Sequence, residues 1–122
     1  MENKIQFDCV TWFNKSYPQF RKLLFHVPNE QSSPNPARIS QLASIGLVKG
    51  VSDLILLVPN SQYHGACIEM KSPTGRISEH QQEFGKRVTE QGYLFEVCRS
   101  LEEFQGIITS YMALNSHSVA PF

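Results

Sequence analysis

Two carboxylates and a lysine near the middle of the chain have a spacing that suits metal chemistry. Asp53 opens one apolar run, and Glu69 and Lys71 close the next one. A turn centred on Ser61 between the two runs predicts an antiparallel hairpin. Asp53 and Glu69 are equally distant from Ser61, so they lie directly opposite one another in this hairpin.

Opposed carboxylates on a sheet repel each other, and burial at the end of apolar strands makes the repulsion worse. A divalent cation compensates, because hard ions such as Mg²⁺ bind carboxylate and carbonyl oxygens and keep waters for reaction. Strand alternation places Lys71 on the same face as Glu69. The alternative is that Asp53 is a solvated residue at a strand start and that Glu69 to Lys71 form an exposed polar edge.

The sequence predicts eight secondary-structure elements, two of which are the strands of this hairpin. Capping residues give the clearest boundaries: Asn35 before Pro36 begins one helix, and Ser78 with Gln81 begins another. The apolar periodicity predicts a helix ending near residue 17, a strand at 23–27, a helix at 36–46, strands at 53–58 and 65–70, a helix at 78–92, a strand at 93–98 and a helix from 100. This order, α-β-α-β-β-α-β-α, predicts an α/β fold with a mixed central sheet flanked by helices.

Length and composition limit the class of protein. The chain has 122 residues with 41% hydrophobic and 18% charged residues, which predicts one compact domain over residues 1–122 and excludes a long disordered chain. No apolar run approaches the roughly 18 residues that span a bilayer, and the first residues lack the pattern of a signal peptide. We therefore expect a soluble, cytosolic protein with no membrane partner.

The cysteines and histidines exclude other chemistries. The odd number of widely spaced cysteines argues against a disulfide framework or a zinc knuckle and predicts reduced, mostly buried thiols. The histidines form no metal-binding pair, so the sequence lacks the residues of a zinc hydrolase or of a His-based nucleophilic triad. The residues concerned are Cys9, Cys67, Cys98, His26, His64, His80 and His117.

Charge is unevenly distributed although the formal net charge is zero. Residues 1–78 carry 8 Lys and Arg against 5 Asp and Glu, whereas residues 79–122 carry 3 against 6. We therefore expect any anion-binding site in the first two thirds of the chain. Arg38, Lys49 and Arg76 flank the carboxylates in sequence and are the candidates for phosphate contacts, although each alone is more often a solvated surface charge. If the anion is a nucleic acid, the few basic residues and the lack of interleaved aromatics favour recognition of its backbone and shape over its base sequence.

An ordered set of short motifs carries a resemblance to a known family. The set comprises Gly50 to Asp53, an apolar strand, Ile68 to Lys71, Gly75 to Ser78, Gln81, Gly92–Tyr93 and Val97 to Ser100. It resembles the VRR-NUC family, the virus-type replication-repair nucleases of the PD-(D/E)XK superfamily. The resemblance covers nearly the whole chain, as in the stand-alone phage and bacterial members, and implies a restriction-endonuclease-like fold.

The resemblance implies a phosphodiesterase that acts on DNA with Mg²⁺ or Mn²⁺. Asp53 and Glu69 would be metal ligands, together with the backbone carbonyl of Met70. Lys71 would orient the attacking water or help to deprotonate it. Gln81 matches a glutamine on the helix after the E-x-K strand, and its alternative role is the capping box with Ser78.

Four further positions bear on the match to the family. Glu2 and Gln6 fit its E-x-x-x-Q helix, and Glu2 would complete the metal site unless the helix start is frayed and solvated. Glu30 could reach the metal; the alternative is that it is an exposed acidic residue of the loop. Ser52 stands where the family usually has proline before Asp53. Proline there only stiffens the backbone, so its absence leaves the expected catalysis intact.

These features together predict a structure-selective DNA endonuclease of the Holliday-junction resolvase type, active in DNA repair in the cytoplasm of a bacterium or a phage-infected host. The alternatives are a flap or single-strand nicking nuclease, and a noncatalytic DNA-binding module, which would have lost the Asp53, Glu69 and Lys71 set. Two symmetric cuts in a junction require a homodimer. Its candidate surfaces are the apolar stripes of the first helix (Trp12, Phe13) and the last helix (Ile107, Ile108, Tyr111, Met112), unless both simply cover the sheet.

Overall fold

The structure, a computed structural model, describes residues 2–28 and 35–115. In this part of the chain the helices and strands follow the predicted order, with one added 3-10 turn. The helices are α1 (Glu2–Ser16), α2 (Pro36–Ser44), α3 (Glu79–Glu90) and α4 (Leu101–Ala113), the strands are β1 (Leu24–His26), β2 (Leu54–Leu56), β3 (Ala66–Met70) and β4 (Leu94–Cys98), and the 3-10 turn is Pro18–Phe20.

The four strands form one mixed sheet in the order β1-β2-β3-β4. The first three strands are antiparallel to their neighbours, and β4 runs parallel to β3. Leu54 pairs with Ile68 and Leu56 pairs with Ala66, which is the register of a hairpin centred on Ser61. The predicted register is therefore confirmed, and its next position sets Asp53 across from Glu69.

The main core lies between one face of the sheet and the packed pair α1 and α4. It contains Phe13, Ile108, Tyr111 and Met112, all almost fully buried, and Trp12 packs edge-on against Phe104 of α4. The apolar stripes of the first and last helices therefore cover the sheet and leave no wide arc for a dimer. In the described ranges, no helix combines the length and apolarity needed to cross a membrane.

The opposite face of the sheet is covered only in part. α3 packs on β4, where Gly85 lies so close to the Phe95 ring that a Cβ would come within 2.6 Å of it. Towards the other edge, on β1, β2 and their flanks, large apolar side chains remain exposed: Leu23, Phe25 and Leu57 are 37%, 39% and 54% exposed. Asp53 and Glu69 alternate onto this same face beside α3, where Asp53 is half-buried and Glu69 is buried.

The three cysteines are free and buried, as predicted. Burial raises the pKa of Cys9 and Cys98 to about 12 and that of Cys67 to about 11. The thiolate is the reactive form of cysteine, so these thiols are inert near neutral pH. Their role is to fill the core.

Helix caps follow the sequence closely. The Asn35 side chain accepts the N–H of Ala37 at the start of α2, and Ser78 and Gln81 form both halves of the capping box of α3. The start of α4 has only half of such a box. Ser100 accepts the N–H of Glu103, but the Glu103 carboxylate accepts the N–H of Arg99, one residue before the cap.

Gly50 joins the entry of β2 to the beginning of α3. Its φ of +83° is a conformation that residues with a Cβ rarely adopt. A Cβ at Gly50 would lie 2.7 Å from the N of Gln81 and closer still to the carbonyl of His80. Only glycine allows this contact between two main chains, and the contact fixes the first turn of α3 beside the segment that leads to Asp53.

We predict that Gly50→Ala destabilises the protein more than Gly46→Ala. Both glycines have positive φ, but a Cβ at Gly46 meets no atom within 4 Å. The strain at Gly46 should cost about 1–2 kcal/mol, and crowding at Gly50 should add about 1–3 kcal/mol. Urea unfolding followed by the fluorescence of the single tryptophan, Trp12, measures both values. Equal destabilisation of the two variants would contradict the close packing of Gly50 on α3.

Candidate active site

The candidate site lies where four strand ends meet. β2 begins at this edge of the sheet, and β1, β3 and β4 end there, because β1 and β3 are antiparallel to β2 and β4 is parallel to β3. The topology therefore gathers His26, Asp53, Glu69, Lys71 and Arg99 from distant parts of the sequence. Each of them stands on the last pair of a strand or one residue beyond it.

Asp53 is fixed through both its side chain and its main chain. The N–H of Met70 donates to Asp53 Oδ2 at 2.8 Å, so the side chain closes the ladder where β2 has no further main-chain partner. The Asp53 carbonyl accepts the N–H of Val27 at 2.9 Å and Nδ1 of His26 at 3.0 Å. A carbonyl only accepts, so His26 carries its proton on Nδ1. Asp53 Oδ1 takes no hydrogen bond from the described residues.

Glu69 is a buried carboxylate held by two neighbours. Its side chain is 2% exposed, Gln81 Nε2 donates to Glu69 Oε2 at 2.7 Å, and Lys71 Nζ lies 4.0 Å from the same oxygen. The Lys71 side chain is itself only 17% exposed, so water and salt screen this ion pair less than a surface pair. The lysine and the carboxylate share one face of β3, as the alternation predicts.

Gln81 makes the contacts that both of its alternative roles require. Its Oε1 accepts the N–H of Ser78 at 2.7 Å and completes the capping box, while its Nε2 donates to Glu69. The two ends of one amide group therefore connect the start of α3 to the buried carboxylate. The capping role and the active-site role use different atoms of the same side chain and do not compete.

Arg99 shapes the loop that follows Lys71. Its Nη1 donates to the carbonyl of Ser72 at 2.9 Å and also to the carbonyl of Gly75. The N–H of Lys71 donates to the carbonyl of Cys98 at 2.9 Å, which extends the β3–β4 pairing up to the loop. Arg99 thus holds the segment between Lys71 and α3 in one conformation.

Sequence reasoning assigned no role to His26 or Arg99. A parallel β3–β4 pair places the residue after β4 beside the residue after β3, and this parallel pairing was the available clue for Arg99. No turn fixes the register of β1 on β2, because 27 residues separate His26 from Asp53. Ser52, at the usual proline position, is fully buried, and its hydroxyl has no hydrogen-bond partner among the described residues.

Other residues named from the sequence are placed less directly. Met70 contributes its N–H to Asp53, and its carbonyl as a metal ligand stays a prediction. Gln6 is half-buried on α1. Glu30 and the side chain of Glu2 lie outside the described residues, so their proposed roles are untested.

The three candidate phosphate contacts are all exposed. Lys49 directly precedes Gly50 and therefore lies beside the first turn of α3. Arg76 follows the loop held by Arg99, two residues before the Ser78 cap. Arg38 is in the first turn of α2, and its contact with phosphate stays a prediction.

The donor set fits a hard divalent cation. Within residues 3–28 and 35–115, no three His, Cys, Asp or Glu side chains gather to hold a metal. The edge offers the carboxylates of Asp53 and Glu69, and backbone oxygens and water would complete the coordination. Mg²⁺ and Mn²⁺ accept such an all-oxygen set with several waters, whereas structural zinc requires four protein ligands.

Two comparisons with known proteins concern the family and the fold of this chain. A family model described as VRR-NUC domain matches residues 1–102. A solved structure described as "VRR_NUC domain protein" is similar to this chain with a TM-score of 0.80 and 20% sequence identity, over 93% of this chain and 89% of that one. At this identity the structural similarity shows the fold alone, and no curated protein matches the chain. Since the family model spans most of the sequence, the chain belongs to the VRR-NUC family and has its nuclease-type, PD-(D/E)XK-like fold.

Proposed function

We propose that this chain is a metal-dependent, structure-selective DNA endonuclease, with residues 1–122 forming one nuclease domain. One observation carries the proposal: the hairpin register sets Asp53 across from Glu69, with Lys71 beside Glu69 on the same face. The intact set argues against a noncatalytic module, because loss of catalysis removes the need to keep two opposed carboxylates.

Mg²⁺ or Mn²⁺ is the proposed cofactor, held by Asp53, Glu69 and the carbonyl of Met70. When bound, the ion supplies an acidified water and positive charge for the extra negative charge of the phosphate in the transition state. Hydrogen bonds orient both carboxylates before the ion binds. Met70 orients Asp53 through its N–H, and Gln81 orients Glu69 through its side-chain amide.

Lys71 is the proposed partner of the attacking water. Its ammonium lies 4.0 Å from Glu69 Oε2, so it adds a point charge next to the carboxylate without taking the place of a ligand. In this position it orients the water or helps to remove its proton. Arg38, Lys49 and Arg76 are the proposed contacts for the DNA backbone and should make binding weaken with salt.

We predict that Asp53→Asn or Glu69→Gln lowers DNA cleavage by at least about 100-fold while the fold is kept, because each variant loses a charged metal ligand. The assay uses a labelled four-way junction, a flap, a single strand and a plain duplex, each with Mg²⁺, Mn²⁺ or chelator. Persistent Mg²⁺-dependent cleavage by either variant would contradict the site.

Thermal melts in chelator provide the matching stability test. Removal of one member of a like-charge pair should leave the melting temperature unchanged or raise it. The amide group introduced by either substitution still offers an oxygen to the N–H of Met70 or to the side chain of Gln81. A clear drop in melting temperature for both variants would show that the carboxylates serve stability instead of metal binding.

We predict that Lys71→Ala folds and binds metal but loses about 10²- to 10⁴-fold in turnover, the usual contribution of a positioned acid or base. Lys86→Ala, an exposed lysine on α3, is the control and should keep full turnover. Calorimetry with Mn²⁺ measures metal affinity. Loss of Mn²⁺ binding in Lys71→Ala alone would assign Lys71 to the metal site instead of the water.

Holliday-junction resolution is the specific activity that we propose first, and it requires two sites related by a two-fold axis. The exposed apolar residues Leu23, Phe25 and Leu57 support a contact between two copies. They lie on the part of this sheet face that α3 leaves uncovered. They replace the helix stripes, which are buried in the core. A flap or single-strand nuclease is the second candidate, because one site suffices for a single cut.

We predict that light scattering at micromolar concentration shows a dimer, and that Leu57→Lys converts it to a monomer without unfolding. The monomer should lose paired cuts in a junction and retain single cuts in a flap. Gln62→Lys, an exposed position in the hairpin turn, is the charge-matched control. A monomeric wild type that makes paired cuts would contradict the dimer, and a monomeric wild type that makes only single cuts would favour the second candidate.

A further inference from the structure

A cleft of about 310 Å³ lies next to the proposed active site, between α3 and the loop before Gly50. We call it the α3 cleft. Its lining residues are Val48, Lys49, His80, Glu83, Phe84 and Arg87. The four α3 residues repeat at helical spacing, so they form one continuous face of that helix.

Two contacts place the α3 cleft beside the carboxylates. Gly50 packs on the main chain of His80 and Gln81, and Gly50 is three residues from Asp53. Gln81 donates to Glu69 and lies one helical turn from Phe84. The segments that position the two carboxylates are therefore also the walls of the cleft.

The chemistry of the cleft suits a nucleotide. Val48 and the half-buried ring of Phe84 provide apolar surface, and Lys49 and His80 have no hydrogen bond or ion pair with any described residue. The carboxylate in the lining, Glu83, is paired with Arg87 at 2.8 Å, and this hydrogen bond lowers the pKa of Glu83. The cleft therefore keeps a net positive charge from Lys49 next to an aromatic ring.

We propose that the α3 cleft receives an unpaired nucleotide of the DNA substrate, with its base against Phe84 and its phosphate at Lys49. This inference rests on the proposed nuclease function and names a substrate class: DNA with an unstacked nucleotide next to the cut, as in flaps, single strands and opened branch points. Aromatic rings beside a cation bind single strands through stacking and charge. A base inside a duplex cannot reach such a ring because it remains paired and stacked.

The size of the cleft agrees with one nucleotide. Its volume is at the lower end of the range for ligand pockets, about 300 to 1,000 Å³. If the cleft bound only a phosphate, Lys49 would be enough, and substitution of Phe84 would not change binding. If a protein side chain occupied the cleft, removal of a base from the DNA would not change binding. These two occupants therefore give different results in one experiment.

The test compares a flap oligonucleotide with the same oligonucleotide carrying an abasic (tetrahydrofuran) nucleotide at successive positions around the cut. Binding is measured by fluorescence anisotropy in Ca²⁺, and cleavage is measured in Mg²⁺. For the wild type, one abasic position should weaken binding roughly 5- to 150-fold, the fold-change that corresponds to loss of one stacked base.

Matched variants identify the ring responsible. Phe84→Leu should bind both oligonucleotides equally, and Phe84→Tyr should restore the preference for the intact base. Phe7→Leu, a substitution of an exposed phenylalanine on α1, should behave as the wild type. Lys49→Gln should weaken binding of both oligonucleotides alike and lower the salt slope by about 0.7.

The inference is overturned if no abasic position weakens wild-type binding, or if Phe84→Leu is as sensitive to the missing base as the wild type. Should Phe84→Leu fail to fold, the wild-type abasic series and Phe84→Tyr still decide. Binding and cleavage separate the two proposals. Absence of cleavage on every substrate refutes the nuclease function, whereas cleavage that ignores the missing base refutes only the nucleotide cleft.

Discussion

The repulsion between two opposed carboxylates is the constraint on which the rest of this structure depends. A hairpin with one register brings Asp53 and Glu69 together, and burial of Glu69 increases the cost of leaving both charged. The surrounding groups all supply donors: the N–H of Met70, the amide of Gln81 and the ammonium of Lys71. A cation at this edge, as proposed, would relieve the repulsion between the two carboxylates.

The second theme is how one helix serves two purposes. α3 is capped by Ser78 and Gln81, and the same Gln81 reaches Glu69. An ordinary signal for a helix start therefore also places a hydrogen-bond donor in the site. Because Gly50 packs on the same turn, α3 also fixes the segment that leads to Asp53. The geometry of the candidate site and the capping of the helix therefore depend on the same first turn of α3.

Much of this was predictable from the sequence, for identifiable physical reasons. The short turn around Ser61 fixed the β2–β3 register, and the Asn35 and Ser78 caps fixed two helix starts, because these interactions are local. The contacts of His26 and Arg99 were not predictable in the same way, since each joins segments more than 20 residues apart through side-chain hydrogen bonds. The apolar stripes of α1 and α4 show a related limit. Their periodicity predicts a buried side without saying whether a sheet or a second copy covers it.

The packing of Gly50 on His80 links the geometry of the candidate site to the docking of α3. These residues are 30 positions apart, and the contact forms only when α3 has docked on the sheet. A chain with a formed β2–β3 hairpin but a detached α3 would hold its two carboxylates without Gln81 and with a free Gly50 loop. The complete candidate site therefore requires α3 docked on the sheet. A partly folded chain with α3 detached would have the acidic pair without the geometry of the site, so the proposed activity depends on the complete tertiary structure.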